Sequence, residues 1–362
     1  MTDATETERV IADARAICAV PAPTFVEGPR AQLVAQMLGD AGAQPTLDGV
    51  GNVVAGIGEG ERELVLAAHL DTVFAAGTEI DLVQRDGRLA APGIGDNSLG
   101  VAALVHLARH LREHPPARRV VLAATVCEEG LGDLRGAKAL IAGRPCDAFV
   151  AVEGMMLDGI AVAGVGSVRL RITLRGPGGH PWGDRGSPSA VHALLAPLGT
   201  IVARLERAGM AVNVGELHGG TAINVIAAQA MAELDVRSED EAALAGVGEA
   251  VRDELAGLDS ALTLEVTSLG HRPGGRIDPE HPLLDAAREA RRLAALPPAR
   301  ESASSTDANA AHGQAVPAIT VGVSTGANAH RPDEYIDLAP IPAGLRSLRA
   351  LIDLLAGHDL TF

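Results

Sequence analysis

The sequence is poor in cysteine and aromatic residues, and it contains no long uncharged apolar run. Its cysteines, Cys18, Cys127 and Cys146, form no spaced pair, so neither a disulfide framework nor a C-x-x-C zinc site is expected. No stretch reaches the roughly 18 apolar residues of a membrane span. The polar start, MTDATETERV, lacks the basic and apolar regions of a signal peptide. These absences predict a cytoplasmic protein without a membrane partner.

Positive charge is also scarce, with 30 Lys and Arg residues against 46 Asp and Glu and a formal net charge of −16. An acidic chain is poorly suited to a phosphate backbone, so we expect no nucleic-acid partner. Apolar residues, in contrast, make up 47% of the 362 residues, which excludes a disordered chain. The length favours two domains.

Short apolar runs alternate with helical patterns in the first 150 residues and again near the end. Such runs are typical of strands that are buried on both faces of a parallel sheet. The predicted strands are Asn52–Ile57, Glu63–Ala68, Val120–Thr125, Ala148–Val152 and Ile319–Val323. The predicted helices are Glu6–Cys18, Pro29–Ala41, Leu99–Arg112, Ala137–Ala142, His281–Ala294 and Ile341–Ala356. This alternation predicts an α/β domain with a mostly parallel central sheet.

The middle of the chain follows a different pattern, beginning with the alternating apolar and polar residues of Ser167–Leu174. The segments that follow read as helix Pro188–Ala208, strands Ala211–Leu217 and Gln229–Val236, helix Glu241–Leu255 and strand Leu262–Thr267. This β-α-β-β-α-β order predicts a ferredoxin-like α+β insert. We therefore expect a catalytic domain at 1–165 and 275–362, interrupted by a second domain at 166–274.

Histidines and carboxylates follow the predicted strands of the first domain. Ligands of parallel sheets bind beyond the carboxyl ends of the strands, so we expect these side chains to converge. They are His69 and Asp71 in AAHLDTV, Asp96 in GIGDNSLG, Glu128 and Glu129 in TVCEEG, Glu153 in VEG, and His330 in GANAHRPDE.

Charge then decides what these side chains can bind. Four carboxylates at one edge cannot all ionise without counter-charge, and Arg331 alone cannot balance them. Two zinc ions would balance Asp96, Glu129, Glu153 and a hydroxide, with His69 and His330 as neutral donors. Glu128 is left over as a general base. Asp71 is expected to accept the other ring N–H of His69 and so orient it.

The motifs resemble the co-catalytic dizinc exopeptidases and deacylases, which include carboxypeptidase G, acetylornithine deacetylase, succinyl-diaminopimelate desuccinylase, aminoacylase and tripeptidase T. The resemblance covers nearly the whole chain. Besides the segments given above, it rests on GPGGHP, TAINVI, DVR and SSTDAN, in order and at matching spacing.

The resemblance implies a zinc-exopeptidase-like catalytic domain with two Zn²⁺ ions, for which Co²⁺ or Mn²⁺ could substitute. Asp96 would bridge the two ions. His69 and Glu153 would bind one ion, Glu129 and His330 the other. Glu128 would be the acid/base residue. The peptide bond Asp96–Asn97 is expected to be cis.

The resemblance further implies that the insert is a lid and dimerisation domain, so that the protein is a homodimer. His180 in GPGGHP would reach the partner's active site and stabilise an oxyanion. Asn224 and Arg237 would hold the carboxylate of the substrate, a task that suits the planar guanidinium of arginine.

The expected function is hydrolysis of a peptide or N-acyl amino acid amide bond near a free carboxylate. A zinc-bridging hydroxide would attack with Glu128 as the general base. In the resembling family, a glutamate at the position of Glu153 goes with carboxypeptidases and deacylases. SSTDAN and GPGGHPWGD instead resemble the tripeptidase T branch, so an aminopeptidase acting from a free N-terminus stays open.

Three other functions are possible from the sequence. One is a catalytically inactive dimeric metal-binding relative, although no ligand is missing. Another is a metal-storage protein, which would not need Glu128. The third is a cysteine hydrolase using Cys127, but a carboxylate-rich setting disfavours its thiolate.

Overall fold

A computed structural model of the chain describes residues 3–357. It divides into two compact units. The larger contains the residues up to Gly164 together with those from Arg276 onward, and the smaller is Val165–Gly275. In the described part of the chain, no helix is both long and apolar enough to cross a membrane.

The α-helices of residues 3–357 follow the apolar periodicity of the sequence. They are α1 (Asp3–Cys18), α2 (Gly28–Asp40), α3 (Leu99–Glu113), α4 (Arg135–Ile141), α5 (Ala190–Arg207), α6 (Glu241–Ala245), α7 (Val247–Glu254), α8 (Pro282–Leu293), α9 (Ala308–His312) and α10 (Ile341–Ala356). In α1, for example, Val10, Ala14 and Ile17 share the buried face at helical spacing.

The strands of the same residues are β1 (Thr46–Leu47), β2 (Val53–Ile57), β3 (Glu63–His69), β4 (Val83–Arg85), β5 (Arg88–Ala90), β6 (Arg119–Thr125), β7 (Cys146–Glu153), β8 (Gly159–Gly164), β9 (Gly166–Arg175), β10 (Ala211–Gly219), β11 (Gln229–Ser238), β12 (Thr263–Arg272), β13 (Gly275–Arg276), β14 (Arg300–Ser304), β15 (Ala318–Gly322), β16 (Gly326–Ala327) and β17 (Tyr335–Asp337).

The main sheet of the larger unit has a parallel centre with antiparallel additions. Strand β3 lies between β6 and β7, and β7 also pairs with β15, all in parallel. Strand β2 is antiparallel to β6, and β8 is antiparallel to β15. Every residue of β3 is buried, as expected for a central strand with both faces covered. The α/β fold class is therefore confirmed, with a mixed rather than uniformly parallel sheet.

Four strands of this sheet, β1, β8, β13 and β14, were not predicted. The Ala and Gly content of β8 gives it weak strand propensity, and polar β14 pairs only with β8. One predicted helix is wrong in extent, because Glu241–Leu255 is interrupted at Gly246 and forms α6 and α7. Glycine has low helix propensity, which accounts for the break.

The smaller unit is an antiparallel four-stranded sheet in the order β10-β11-β9-β12. Its first strand, β9, thus lies between β11 and β12. Helices α5 and α7 pack on it, with Leu194, Ile201 and Val251 in a separate apolar core. The predicted ferredoxin-like β-α-β-β-α-β arrangement is confirmed.

Candidate metal centre

Three segments that leave the main sheet provide side chains to one cluster. His69 is the last residue of β3, Glu153 is the last residue of β7, and Glu129 follows β6. A turn between β16 and β17 adds His330, and the turn before α3 adds Asp96. The structure brings these residues together: ligand atoms of His69, Asp96 and Glu153 lie within 4.8 Å of one another, as do those of Asp96, Glu129 and His330.

Asp96 lies at the centre of the cluster, with each carboxylate oxygen near a different imidazole. Oδ1 is 2.9 Å from Nε2 of His69, and Oδ2 is 3.0 Å from Nε2 of His330. Nε2 of His69 is also 3.8 Å from Oε2 of Glu153, and Nε2 of His330 is 3.1 Å from Oε1 of Glu129. Two donor sets that share one carboxylate can hold two cations side by side.

The orientation of His69 shows which ring nitrogen faces the cluster. Its Nδ1 lies 3.0 Å from the main-chain carbonyl oxygen of Asp71. Since a carbonyl only accepts, Nδ1 carries a proton, and Nε2 of the neutral ring offers a lone pair toward Asp96. A lone pair facing a carboxylate requires a proton or a cation between them. The nitrogen and oxygen donor set is one that zinc and related divalent ions accept.

When no cation is bound, a proton can occupy the place between a histidine nitrogen and a carboxylate. Burial opposes the charged form of His69, but contacts with Asp71 and Asp96 and the charge of Glu153 raise its pKa well above the usual value. Burial also raises the pKa of Glu153, aided by the charge of Asp96. Hydrogen bonds to Asp96 and Glu129 raise the pKa of His330 to about 10. Without cations the cluster is therefore expected to hold protons, and bound cations would displace them.

Asp71 differs in detail from its predicted role. Its carboxylate is 3.7 Å from Nδ1 of His69, too far for the expected hydrogen bond, and the carbonyl oxygen makes that contact instead. The carboxylate accepts the main-chain N–H groups of Glu128 at 2.8 Å and Glu129 at 2.9 Å, and the hydroxyl of Thr24 at 2.9 Å. Asp71 thus fixes both the histidine and the two glutamates.

Glu128, predicted as the general base, is 5% exposed. One of its carboxylate oxygens falls within 4.8 Å of ligand atoms of His69 and Glu129. It lies beside the donor set without belonging to either of the groups centred on Asp96. This is a suitable place for a group that takes a proton from a water at the cluster.

Sequence reasoning missed two residues that hold the Asp96 turn. Buried Glu334 accepts the main-chain N–H groups of Gly93, Gly95 and Asp96 at 3.2, 2.7 and 2.8 Å. The motif HRPDE contained Glu334, but nothing in its pattern showed which backbone it would contact. The peptide bond Asp96–Asn97 is cis, as the resemblance led us to expect.

Asn97 is the second of these residues and is fully buried. Its side-chain amide donates to the carbonyl of Val152 at 2.9 Å, and its Oδ1 accepts the N–H of Gly154 at 2.8 Å. Val152 and Gly154 lie on either side of Glu153. Asn97 therefore ties the turn of Asp96 to the strand end that presents Glu153. The tie involves two backbone groups that no sequence pattern could identify.

The remaining predicted residues lie in the smaller unit. Nδ1 of His180 accepts the N–H groups of Trp182 at 3.2 Å and Gly183 at 3.1 Å, so the proton of the neutral ring is on Nε2. Gly179 pairs with Ile226, which places the turn of His180 beside the segment of Asn224.

Arg237 is at the other end of β11. It donates to the carboxylate of Asp235 at 2.8 and 3.1 Å. The segment that contains Asn224 leads into β11 at Gln229. From Gln229 to Arg237, eight residues of extended strand span roughly 25 Å. The structure therefore does not bring Asn224 and Arg237 of one chain together.

The sequence profile of Peptidase family M20/M25/M40 matches residues 65–354, which is most of the chain and includes every residue of the cluster. The chain belongs to this family. The resemblance deduced from the motifs is thereby confirmed, and the chain is a hydrolase of the metal-dependent M20 family.

Two curated relatives show where within the M20 family the similarity falls. Acetylornithine deacetylase of Edwardsiella ictaluri is 27% identical over 92% of this chain and 94% of that protein. A probable carboxypeptidase of Aspergillus flavus is 25% identical, and the match covers 51% of this chain and 50% of that protein. The matched segment thus spans about half the length of that carboxypeptidase.

Solved structures share the M20 fold over nearly their full length. Aminopeptidase PepT of Bacillus cereus has a TM-score of 0.75 at 20% identity, covering 97% of this chain and 99% of that one. The YXEP protein of Bacillus subtilis, described as a dinuclear metal-binding peptidase, has a TM-score of 0.73 at 19% identity, covering 98% and 99%. At these identities the likeness concerns the fold.

Proposed function

We propose that this protein hydrolyses a peptide or N-acyl amino acid amide bond next to a free carboxylate, using two zinc ions. The observation that supports this most directly is the position of Asp96 between two imidazoles, 2.9 Å from His69 and 3.0 Å from His330. A single ion needs no such shared carboxylate. Co²⁺ or Mn²⁺ could substitute, since each accepts nitrogen and oxygen donors.

The ligand assignment follows from the two groups of side chains. Asp96 would bridge the ions, with His69 and Glu153 completing one donor set and Glu129 and His330 the other. When bound, such ions supply Lewis acidity and lower the pKa of a bound water. The carbonyl of Asp71 orients His69 for this purpose, and the carboxylate of Asp71 holds the main chain that presents Glu129.

Proton transfer is the task we assign to Glu128. It accepts a proton from the attacking water and then gives it to the leaving nitrogen, so that the amine departs neutral. Its main-chain N–H is held by Asp71 at 2.8 Å, which fixes where the carboxylate can reach. Nε2–H of His180 is the donor that we assign to the oxyanion.

A homodimer formed through the smaller unit fits the placement of the carboxylate-binding residues. Arg237 and Asn224 belong to opposite ends of β11 and cannot both touch one carboxylate from a single chain. If both hold the substrate, they must come from two copies. Arg237 would then exchange Asp235 for the bidentate contact with the substrate.

The names of the relatives favour two different substrate requirements, a free carboxylate or a free amine. A deacetylase and a carboxypeptidase among the curated relatives agree with an amide near a carboxylate. The PepT fold similarity favours the second candidate, an aminopeptidase of the tripeptidase T type. A cysteine hydrolase is disfavoured, because burial and the neighbouring Glu27 raise the pKa of the Cys127 thiol to about 12.

One screen tests these alternatives. The chain loaded with Zn²⁺ is incubated with dipeptides, tripeptides and N-acyl amino acids, each also supplied with the amino or the carboxyl terminus blocked. Activity that needs the free carboxylate supports the proposal, and activity that needs the free amine supports the aminopeptidase. Chelation is expected to abolish turnover and Zn²⁺ to restore it. An inactive relative would cleave nothing while still binding metal.

A further inference from the structure

Several exposed large apolar side chains of the larger unit lie in segments that carry or contact the residues of the metal centre. Within its described residues, large apolar side chains are exposed at Phe25, Val26, Leu47, Val73, Val83, Leu131 and Leu293. Val73 is two residues after Asp71, and Leu131 is two residues after Glu129. Phe25 and Val26 directly follow Thr24, whose hydroxyl bonds to Asp71. We call Phe25, Val26, Val73 and Leu131 the apolar rim.

Hydrogen bonds hold the segment of Phe25 and Val26 against the segments that form the centre. The main-chain N–H of Thr72 donates to the carbonyl of Ala22 at 2.9 Å. The N–H of Cys127 donates to Oε1 of Glu27 at 3.0 Å. The segment is thus bonded on one side to the residues beside Asp71 and on the other to the residue before Glu128.

Phe25 adopts a conformation that a bulky side chain rarely occupies, with a φ of 75°. Its N–H donates to Oε1 of Glu27 at 3.0 Å. The residue is 56% exposed, and the guanidinium of Arg135 lies 5.8 Å from the ring centre. Because the aromatic ring is exposed, burial in the core does not offset the cost of this backbone conformation. Such strain is concentrated at ligand-binding sites.

We propose that the apolar rim binds an aliphatic or aromatic group that the substrate carries next to the scissile amide. This rests on the proposed function and narrows it to substrates with a branched or aromatic side chain or acyl group. Burial of that group against Phe25 and Leu131 removes apolar surface of both partners from water.

The test compares substrates that differ only in this group. Matched peptides and N-acyl amino acids carry leucine or alanine, or an isocaproyl or acetyl group, on each side of the amide. The wild-type chain is expected to favour the larger group in kcat/KM. Phe25→Ala and Leu131→Ala are each expected to reduce that preference about tenfold. Phe25→Leu is expected to retain most of it.

Leu293→Ala is the matched control, since Leu293 is 54% exposed at the end of α8 and is remote in sequence from the centre. It is expected to leave the preference unchanged. Thermal unfolding of every variant shows whether the loss at Phe25 comes from a displaced segment. If Phe25→Ala unfolds, Leu131→Ala carries the test alone.

A second measurement does not need turnover. Calorimetry of the metal-loaded chain compares 4-methylpentanohydroxamic acid with acetohydroxamic acid, whose shared head binds metal and whose tails differ. Discrimination that Phe25→Ala abolishes supports the rim even if no amide is cleaved, and the proposed function then fails separately. Cleavage of amides without discrimination overturns the rim and leaves the proposed function intact. A variant that instead dissociates a dimer in sedimentation also overturns it, because the rim would then be covered by a second copy.

Discussion

Oε1 of Glu334 accepts the main-chain N–H of Asp96 at 2.8 Å from beneath the turn that presents this carboxylate. The same oxygen accepts the N–H of Gly95 at 2.7 Å, and Oε2 accepts that of Gly93 at 3.2 Å. Burial raises the pKa of Glu334 to about 7. An otherwise costly buried carboxylate is thus used to hold a short piece of backbone.

Glu334→Gln is expected to weaken metal binding about 10- to 100-fold, because the amide nitrogen that replaces one carboxylate oxygen cannot accept a backbone N–H. The turn of Asp96 then loses at least one of its hydrogen bonds and shifts. Titration with Co²⁺, followed by its visible absorption, measures both affinity and ligand geometry. Asp259→Asn is the control, since exposed Asp259 also accepts a backbone N–H, that of Ala261 at 2.8 Å, and belongs to the smaller unit. An unchanged Co²⁺ spectrum in Glu334→Gln would contradict the positioning role.

Glu128→Gln is expected to keep both metal ions and to lose a factor of about 10² to 10⁴ in kcat, as is usual when a general base is removed. Metal content by elemental analysis and kcat on the best amide of the screen are the measurements. Glu129→Gln serves for comparison, because a change in a proposed ligand is expected to reduce metal content as well. Retained turnover in metal-replete Glu128→Gln would refute the assignment.

The convergence of His69, Glu129 and Glu153 was predictable, since the ends of adjacent parallel strands must meet at one edge. The direction of contacts was not. Whether Asp71 would use its carboxylate or its carbonyl toward His69 depends on a turn geometry that no residue pattern encodes. The roles of Glu334 and Asn97 were hidden for the same reason, because their partners are backbone groups distant in sequence.

The strands of the main sheet likewise divide into those that the sequence predicts and those that it does not. Strands β3 and β7 were predictable because uninterrupted apolar runs identify strands that are buried on both faces. Strand β14, with the sequence RESAS, is held by pairing with β8 and carries no such pattern. Local sequence therefore determined the centre of the sheet, and tertiary pairing determined added strands such as β14.

Asp71→Asn is expected to lower kcat with a smaller effect on KM, because the amide group can no longer accept the N–H groups of both Glu128 and Glu129. Losing one such charge-assisted hydrogen bond costs about 1.5–3 kcal/mol of stability. Kinetics and denaturant unfolding measure the two effects. Asp240→Asn is the matched control, since Asp240 also accepts two backbone N–H groups, at the start of α6. Equal kcat losses in both variants would mean that Asp71 is merely structural.

Metal binding is expected to release protons, and its affinity is expected to rise with pH. In the metal-free cluster the pKa values of His69 and Glu153 lie well above their usual values, and that of His330 is raised to about 10. These raised pKa values favour the protonated form of each group, whereas a ligand must be deprotonated. Raising the pH toward these pKa values removes the competing protons, and lowering it strengthens the competition.

Calorimetric Zn²⁺ titrations at pH 7 in two buffers of different ionisation enthalpy count the released protons. His330→Ala provides the matched comparison, because it removes one titrating ligand while leaving His69 and Glu153 in place; it is expected to release one proton fewer. His281→Ala is a neutral control, since burial lowers the pKa of His281 and its ring caps α8 away from the cluster. A binding enthalpy that is identical in both buffers would mean that the cluster holds no protons to displace, and the charge argument for the metal centre would fail with it.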